Sequence, residues 1–143
     1  KISANRLEGY KSALRKNNML IDEELIISYN LEVSKVKIYI NHLLSLESPP
    51  DAIFAVNDPT AIEAIQIVKK KGLKIPEDIA IIGFSNDYAS DLIAPSLTTV
   101  AQPISEIGST AAQLLIEQIN RDVSEWKAVT KVLKTALIIR NSS

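Results

Sequence analysis

The sequence predicts an α/β fold, a parallel sheet flanked by helices, on three observations. Two short runs, Asp51–Val56 (DAIFAV) and Ile79–Phe84 (IAIIGF), are almost continuously apolar, as strands covered on both faces are. Between them Ile62, Ile65 and Val68 recur at helical spacing. That helix also has its punctuation: Asn57-Asp58-Pro59 ahead of it, Lys69-Lys70-Lys71-Gly72 behind it. Asp58 is placed to cap the helix and Pro59 suits its first turn. The lysines complement the negative end of the helix dipole, and glycine supplies the stop. Strand, helix and strand make a βαβ unit, whose crossover is expected to be right-handed.

The remaining elements follow in order. Leu7, Tyr10 and Leu14 share one face of a helix over Ser3–Asn17, with Asn5 and Glu8 spaced as a capping box. Gly9 costs that helix about 1 kcal/mol relative to alanine and points to a close neighbour on its face. Leu25–Ser28 reads as a short strand. Val33, Val36, Ile40, Leu43 and Leu44 give a second helix to Leu46, stopped by Ser48-Pro49-Pro50. Ile75–Asp78 is a loop, and a polar loop, Ser85-Asn86-Asp87, follows Phe84. Leu97–Val100 reads as a strand. Ile104, Ile107, Ala111, Leu114, Leu115 and Ile119 mark a helix from Ile104 to Arg121. Asp122–Thr130 is a polar connection carrying the only tryptophan, Trp126, and Val132–Ile139 alternates as a last strand does.

Composition narrows the chemistry. At 143 residues, 46% hydrophobic and 23% charged, the chain is one ordinary globular domain with enough length for a core. A net charge of −1 gives no electrostatic reason for this chain itself to bind nucleic acid. With no cysteine, disulfides, thiolate nucleophiles and zinc ribbons are excluded; with one histidine, a metal site would have to be built from carboxylates. No apolar run reaches the ~18–20 residues of a membrane span, and no secretory signal opens the chain. A start on Lys1, directly in a helical pattern, suggests a piece of a longer protein or a processed form.

In an open parallel sheet, ligands bind beyond the carboxyl ends of the strands, where loops and helix N-termini converge. Two such ends are visible, one carrying Asn57 and Asp58, the other Ser85, Asn86 and Asp87. With all strands parallel, both clusters stand on one rim. Amide, hydroxyl and carboxylate groups there suit a hydroxyl-rich ligand, although Asn and Asp after a strand also serve as turn formers and caps. There is no GxxxxGK[ST] and no GxGxxG, hence no phosphate cradle. His42 reads as solvated, the Lys69–Lys71 run as a helix end, and Trp126 as a core cover. No carboxylate pair stands out for acid/base work, so the chain reads as a binding domain and not an enzyme, with no cofactor.

Several segments together resemble the lactose-repressor (LacI/GalR) family of bacterial regulators. They are Arg6-Leu7-Glu8-Gly9-Tyr10, Pro50–Asp58 with Ala61, Gly72, Ile75-Pro76-Glu77-Asp78, Ile82-Gly83-Phe84, Pro95, Leu97-Thr98-Thr99-Val100, Gln102-Pro103 and the closing Leu137–Ser143. In this order they cover essentially the whole chain. The resemblance implies the C-terminal part of a two-lobed sensor like a sugar-binding periplasmic protein: residues 1–101 as the C-terminal lobe, and residues 102–143 crossing to complete an otherwise missing N-terminal lobe. It implies effector contacts at Arg6, Asn57 and Gln102 and around Asp58, Ser85, Asn86 and Asp87. Ser85 stands where many members carry a sugar-gripping Asp, with Asn86 as a substitute. Subunit contacts would fall on Ile62, Glu63, Gln66, Leu92 and Ile93.

The expected protein is then a cytoplasmic, dimeric repressor. It senses a small molecule such as a sugar or related metabolite, and it touches operator DNA only through a helix-turn-helix headpiece outside this chain. Two rival readings exist. A periplasmic sugar-binding protein of a transporter shares the fold, but Leu97–Val100 with Gln102-Pro103, and the tail, favour the repressor. A receiver-like phosphorylation domain would need a clustered acidic pair and a lone lysine at strand ends, which are not found. The chain alone is expected to bind no DNA specifically and, through the apolar face of its last helix, to self-associate.

Overall fold

The computed structural model describes residues 2–28, 33–120 and 128–143. Helix α1 (Ile2–Lys16) is followed by a single 3-10 turn (Glu23–Leu25), α2 (Val33–Leu43), β1 (Ala52–Phe54), α3 (Asp58–Lys70), β2 (Ala80–Ser85), the short α4 (Ala89–Leu92), β3 (Thr98–Ala101), α5 (Ile104–Ile119) and β4 (Ala136–Ile138). The four strands form one sheet in the order β1-β2-β3-β4. β1 runs parallel to β2 with Phe54 beside Ile82, and β2 parallel to β3 with Ser85 beside Ala101. The mixed α/β architecture read from the sequence is present. The expectation that all strands run the same way fails at β4, which pairs antiparallel to β3 with Val100 beside Leu137.

The helix ends follow local chemistry. Asn18 closes α1 with a positive φ of 56°, and Met19 N–H reaches back to Leu14 C=O at 2.9 Å, the asparagine form of a left-handed C-cap. Gly72 (φ 79°) does the same work after α3. At the start of α1 the sequence misleads: the helix begins at Ile2, so Asn5 is interior and caps nothing. Nothing in the preceding residues breaks a helix, so intrahelical bonding extends past the expected boundary. Glu8 instead accepts from Arg15, two turns further along the same face, at 2.8 Å.

Three strand expectations also shift. Leu25–Ser28 forms no strand, because Asp22 caps the 3-10 turn by accepting from Glu24 N–H at 2.9 Å, a local bond that competes with ladder pairing. β1 is shorter than Asp51–Val56 and buried on one face only: Ile53 is buried while Phe54 is 40% exposed. It is an edge strand, and its Ala52–Phe54 face opens on an apolar cavity of about 500 Å³ shared with α1, α2 and residues 25–28. β4 covers only Ala136–Ile138 of the alternating Val132–Ile139 stretch. Arg121 and Trp126 lie outside the described residues.

The core sits between the sheet and the helices α2 and α3. Val36 and Ile40 of α2 and Ala61, Ala64, Ile65, Ile67 and Val68 of α3 pack on Ile53, Ile81 and Leu97. The tail fastens this core. Ser142, fully buried, donates through Oγ to Ile81 C=O (2.6 Å) and accepts from Thr98 N–H (2.8 Å), while its own C=O takes Ile81 N–H (2.7 Å). It therefore bridges the starts of β2 and β3. Ser142→Ala leaves two buried backbone groups short of a partner and is expected to cost about 1–3 kcal/mol, read as a lower urea midpoint with unchanged slope.

Helix α5 contributes no buried residue, and Ile104, Ile107, Leu115, Ile116 and Ile119 are all exposed. An apolar stripe of this size favours association. Light scattering on the chain at high concentration is expected to give a mass clearly above 15.7 kDa; a clean monomer would contradict this. No helix among the described residues is long and apolar enough to cross a membrane.

Candidate functional site: the rim at the strand ends

Because β1 and β2 are parallel neighbours in register, the residues leaving them emerge at one edge. The loops bearing Asn57 and Asn86 are tied together there. Asp87 N–H donates to Asp58 Oδ2 at 2.6 Å. Arg6 reaches the same edge from α1, with Nη1 donating to Val56 C=O and Cζ lying 3.7 Å from the centre of the Phe84 ring. Desolvation lowers the Arg6 guanidinium from its ordinary value, yet an arginine remains charged at neutral pH. Gln102 follows β3, whose end stands beside Ser85. With Arg6, Tyr10, Phe54, Phe84 and Pro103 it lines a cavity of about 550 Å³.

Asn57 and Asp58 divide their roles differently from the sequence reading. Asn57, not Asp58, caps α3, accepting Thr60 N–H at 2.9 Å; what it can still offer a ligand is its amide NH2. Asp58 is corrected from candidate ligand contact to internal strut. It is fully buried and accepts from Asp87 N–H, from Ser90 Oγ (2.8 Å) and from Thr99 Oγ1 (2.6 Å). A carboxylate so enclosed and so fully hydrogen-bonded has no face left for a ligand. Space for it comes from Gly83, where a Cβ would stand 2.2 Å from Asp58 Oδ1.

The turn after β2 is strained and held. Ser85 and Asn86 have φ of 124° and 56°, values that cost a residue with a side chain about 1–3 kcal/mol each. Asn86 N–H donates to Thr99 Oγ1 (3.2 Å), and its Oδ1 accepts from Arg140 Nη2 (3.0 Å). Arg140 also donates to Leu97 C=O (2.8 Å) and lies 3.2 Å from Asp91. The amide oxygen of Asn86 is thus committed inward, against its expected use as a substitute for a sugar-gripping carboxylate. Asp87 Oδ1 accepts Ala89 N–H (3.0 Å) at the start of α4. Ser85 is half-buried at the rim. Neither Asn57 nor any of Ser85, Asn86 and Asp87 lines the cavity that takes in Arg6 and Gln102.

Arg140, Thr99 and Ser90 were missed in the sequence. No local spacing marks them; only the tail's return to the sheet brings Arg140 to Asn86. The expected subunit residues lie on two neighbouring segments, since Lys69 Nζ of α3 donates to Ala94 C=O at 2.8 Å. Leu92 and Gln66 are exposed, whereas Ile62 and Ile93 are half-buried against the core. His42 is exposed, as expected. Among the described residues no group of three His, Cys, Asp or Glu is arranged to hold a metal.

The periplasmic binding protein-like domain family matches residues 1–143, the entire chain. The chain belongs to that family. The transcriptional repressor CytR of Escherichia coli K12 is 36% identical over 138 residues, 96% of this chain and 40% of that protein. A LacI-family regulatory protein from Chloroflexus aggregans superposes with a TM-score of 0.87 at 33% identity, covering 96% of this chain and 49% of the other. The transcriptional regulator CelR, solved with cellobiose, gives a TM-score of 0.88 at 29% identity over 98% of this chain and 42% of the other. The resemblance to lactose-repressor-type regulators is borne out. This periplasmic binding protein-like domain spans about two-fifths of the length of curated relatives such as these.

Proposed function

We propose that this domain is the effector-sensing part of a transcriptional repressor, binding a small molecule in the cavity lined by Arg6, Phe84 and Gln102, with Asn57 and Ser85 on the same sheet edge beside it. The observation that carries the reading is Arg6 itself. A helix sends its guanidinium to the ends of β1 and β2, where it is half-buried against Val56 and Phe84. Val56 and Phe84 hold it in place, and most of its donors are left to meet a ligand. Residues 1–101 would form the C-terminal lobe and residues 102–143 the crossing to a second lobe. The largely exposed apolar face of α5, which contributes no buried residue, supports this. The regulator would be cytoplasmic and would dimerise through Gln66, Leu92 and their neighbours, reaching DNA through a headpiece outside this chain.

Switching then requires that the effector prefer one arrangement of the lobes, since equal affinity for both shifts nothing. The test is operator release by the full-length protein in the presence of a panel of sugars, nucleosides, amino acids and small carboxylates. Release by at least one compound, abolished by Arg6→Ala, is expected. A panel without effect on operator binding would remove the reading.

A further inference from the structure

The cavity beside Arg6 is chemically one-sided. Its walls include Tyr10, Phe54, Phe84, Pro103 and Ile107, and among the described residues Arg6 is the one charged side chain lining it. Its other polar groups are neutral. The carboxylates nearest by sequence do not line it: Asp58 is buried and saturated with three donors, and Asp87, which holds the first amide of α4 through Oδ1, stands outside the cavity. Among the described residues no carboxylate pairs with Arg6, which uses one nitrogen on Val56 C=O and its face on Phe84. The guanidinium fork carries five N–H donors, so most of that donor capacity is open to a ligand.

A polyhydroxylated ligand needs acceptors as much as donors, and carboxylates are the side chains that best accept from several hydroxyls. Among the described residues none lines this cavity. What it does present is a cation in a partly desolvated setting, where a charge-assisted bidentate bond is strong, next to aromatic faces that favour a flat apolar body. We propose that the cleft takes a small planar ligand carrying a carboxylate, the carboxylate on the fork of Arg6 and the ring between Phe54, Phe84 and Tyr10, in preference to a neutral sugar. This rests on the effector reading of the rim and names the class of compound it serves.

Calorimetric titration of the full-length protein with four probes tests it. Benzoate carries both ring and charge, benzamide the ring alone, acetate the charge alone, and cellobiose a set of neutral hydroxyls. Benzoate is expected to bind at least tenfold tighter than each of the others. Arg6→Gln should abolish its advantage over benzamide, bringing the two affinities to within about twofold of each other. Arg6→Lys, which keeps the charge without the fork, should retain part of it, and provides the test should the glutamine variant not fold. Cellobiose binding more tightly than benzoate, an unchanged benzoate-to-benzamide ratio in Arg6→Gln, or no binding of benzoate at millimolar concentration would each overturn the proposal. Operator release separates the two readings. Preference for benzoate without release by any compound defeats the regulator reading alone; release by cellobiose but not benzoate defeats the ligand class alone.

Discussion

Asp58→Ala is expected to lower stability by about 3–5 kcal/mol, among the largest effects of any single substitution in this domain. The carboxylate is fully buried and receives Asp87 N–H, Ser90 Oγ and Thr99 Oγ1. Alanine leaves those three donors buried with no acceptor, at roughly 1–3 kcal/mol for each group that cannot turn elsewhere. The two hydroxyls can rotate; the Asp87 amide cannot, and it sits next to the strained Ser85-Asn86 turn. For a domain of this size the loss corresponds to a fall in Tm of roughly 10 °C, measurable by calorimetry. Asp58→Asn should cost far less, about 1–2 kcal/mol. Its amide oxygen replaces Oδ2 toward Asp87 and Ser90, and its NH2 donates to Thr99 Oγ1, which has a lone pair to offer. Equal losses for the alanine and asparagine variants would show that the hydrogen bonds are not what Asp58 supplies.

Gly83→Ala is expected to destabilise by about 2–4 kcal/mol, for a reason that lies in its neighbour and not in its own backbone. The added Cβ would stand 2.2 Å from Asp58 Oδ1 and 2.9 Å from Leu97 Cδ2. Neither can yield cheaply: Asp58 is pinned by its donors, and Leu97 is fully buried in the core. Overpacking of this kind typically costs 1–3 kcal/mol and occasionally more. The double variant Gly83→Ala with Asp58→Ala gives the sharper test. Removing the carboxylate vacates the space the methyl needs, so the combined loss should fall short of the sum of the single losses by at least 1 kcal/mol. Strict additivity in urea unfolding would mean the two positions do not compete for one volume.

How much of the site the sequence disclosed is best seen at Asn57 and Asp58. Both are favoured N-cap residues, and the sequence rightly placed a helix start there, but it assigned the cap to Asp58. Which of the two turns inward depends on Gly83 and Thr99 arriving from β2 and β3 to accept a carboxylate, and these lie 25 and 41 positions away. A similar limit applies to β1. Its apolar run looked buried on both faces because hydrophobicity records affinity for cover, not whether cover is present; Phe54 turns out to face a cavity at the sheet edge. At Leu25–Ser28 a single capping aspartate, Asp22, outweighed the apolar run.

By itself the sequence determined the βαβ unit, the order of the four long helices and the four strands of the sheet, the inward faces of α2 and α3, and the placement of two polar loops at one sheet edge. Each of these depends on periodicity or punctuation within about fifteen residues, where backbone geometry ties spacing directly to face. Only the tertiary structure decided that Asp58 is a strut, that Asn86 is claimed by Arg140, that Ser142 bridges two strands and that β4 returns antiparallel. Those contacts join residues 29 to 61 positions apart. They exist because burial forces every polar group caught inside the sheet to find a partner, and which partner is near is settled only when the chain has closed.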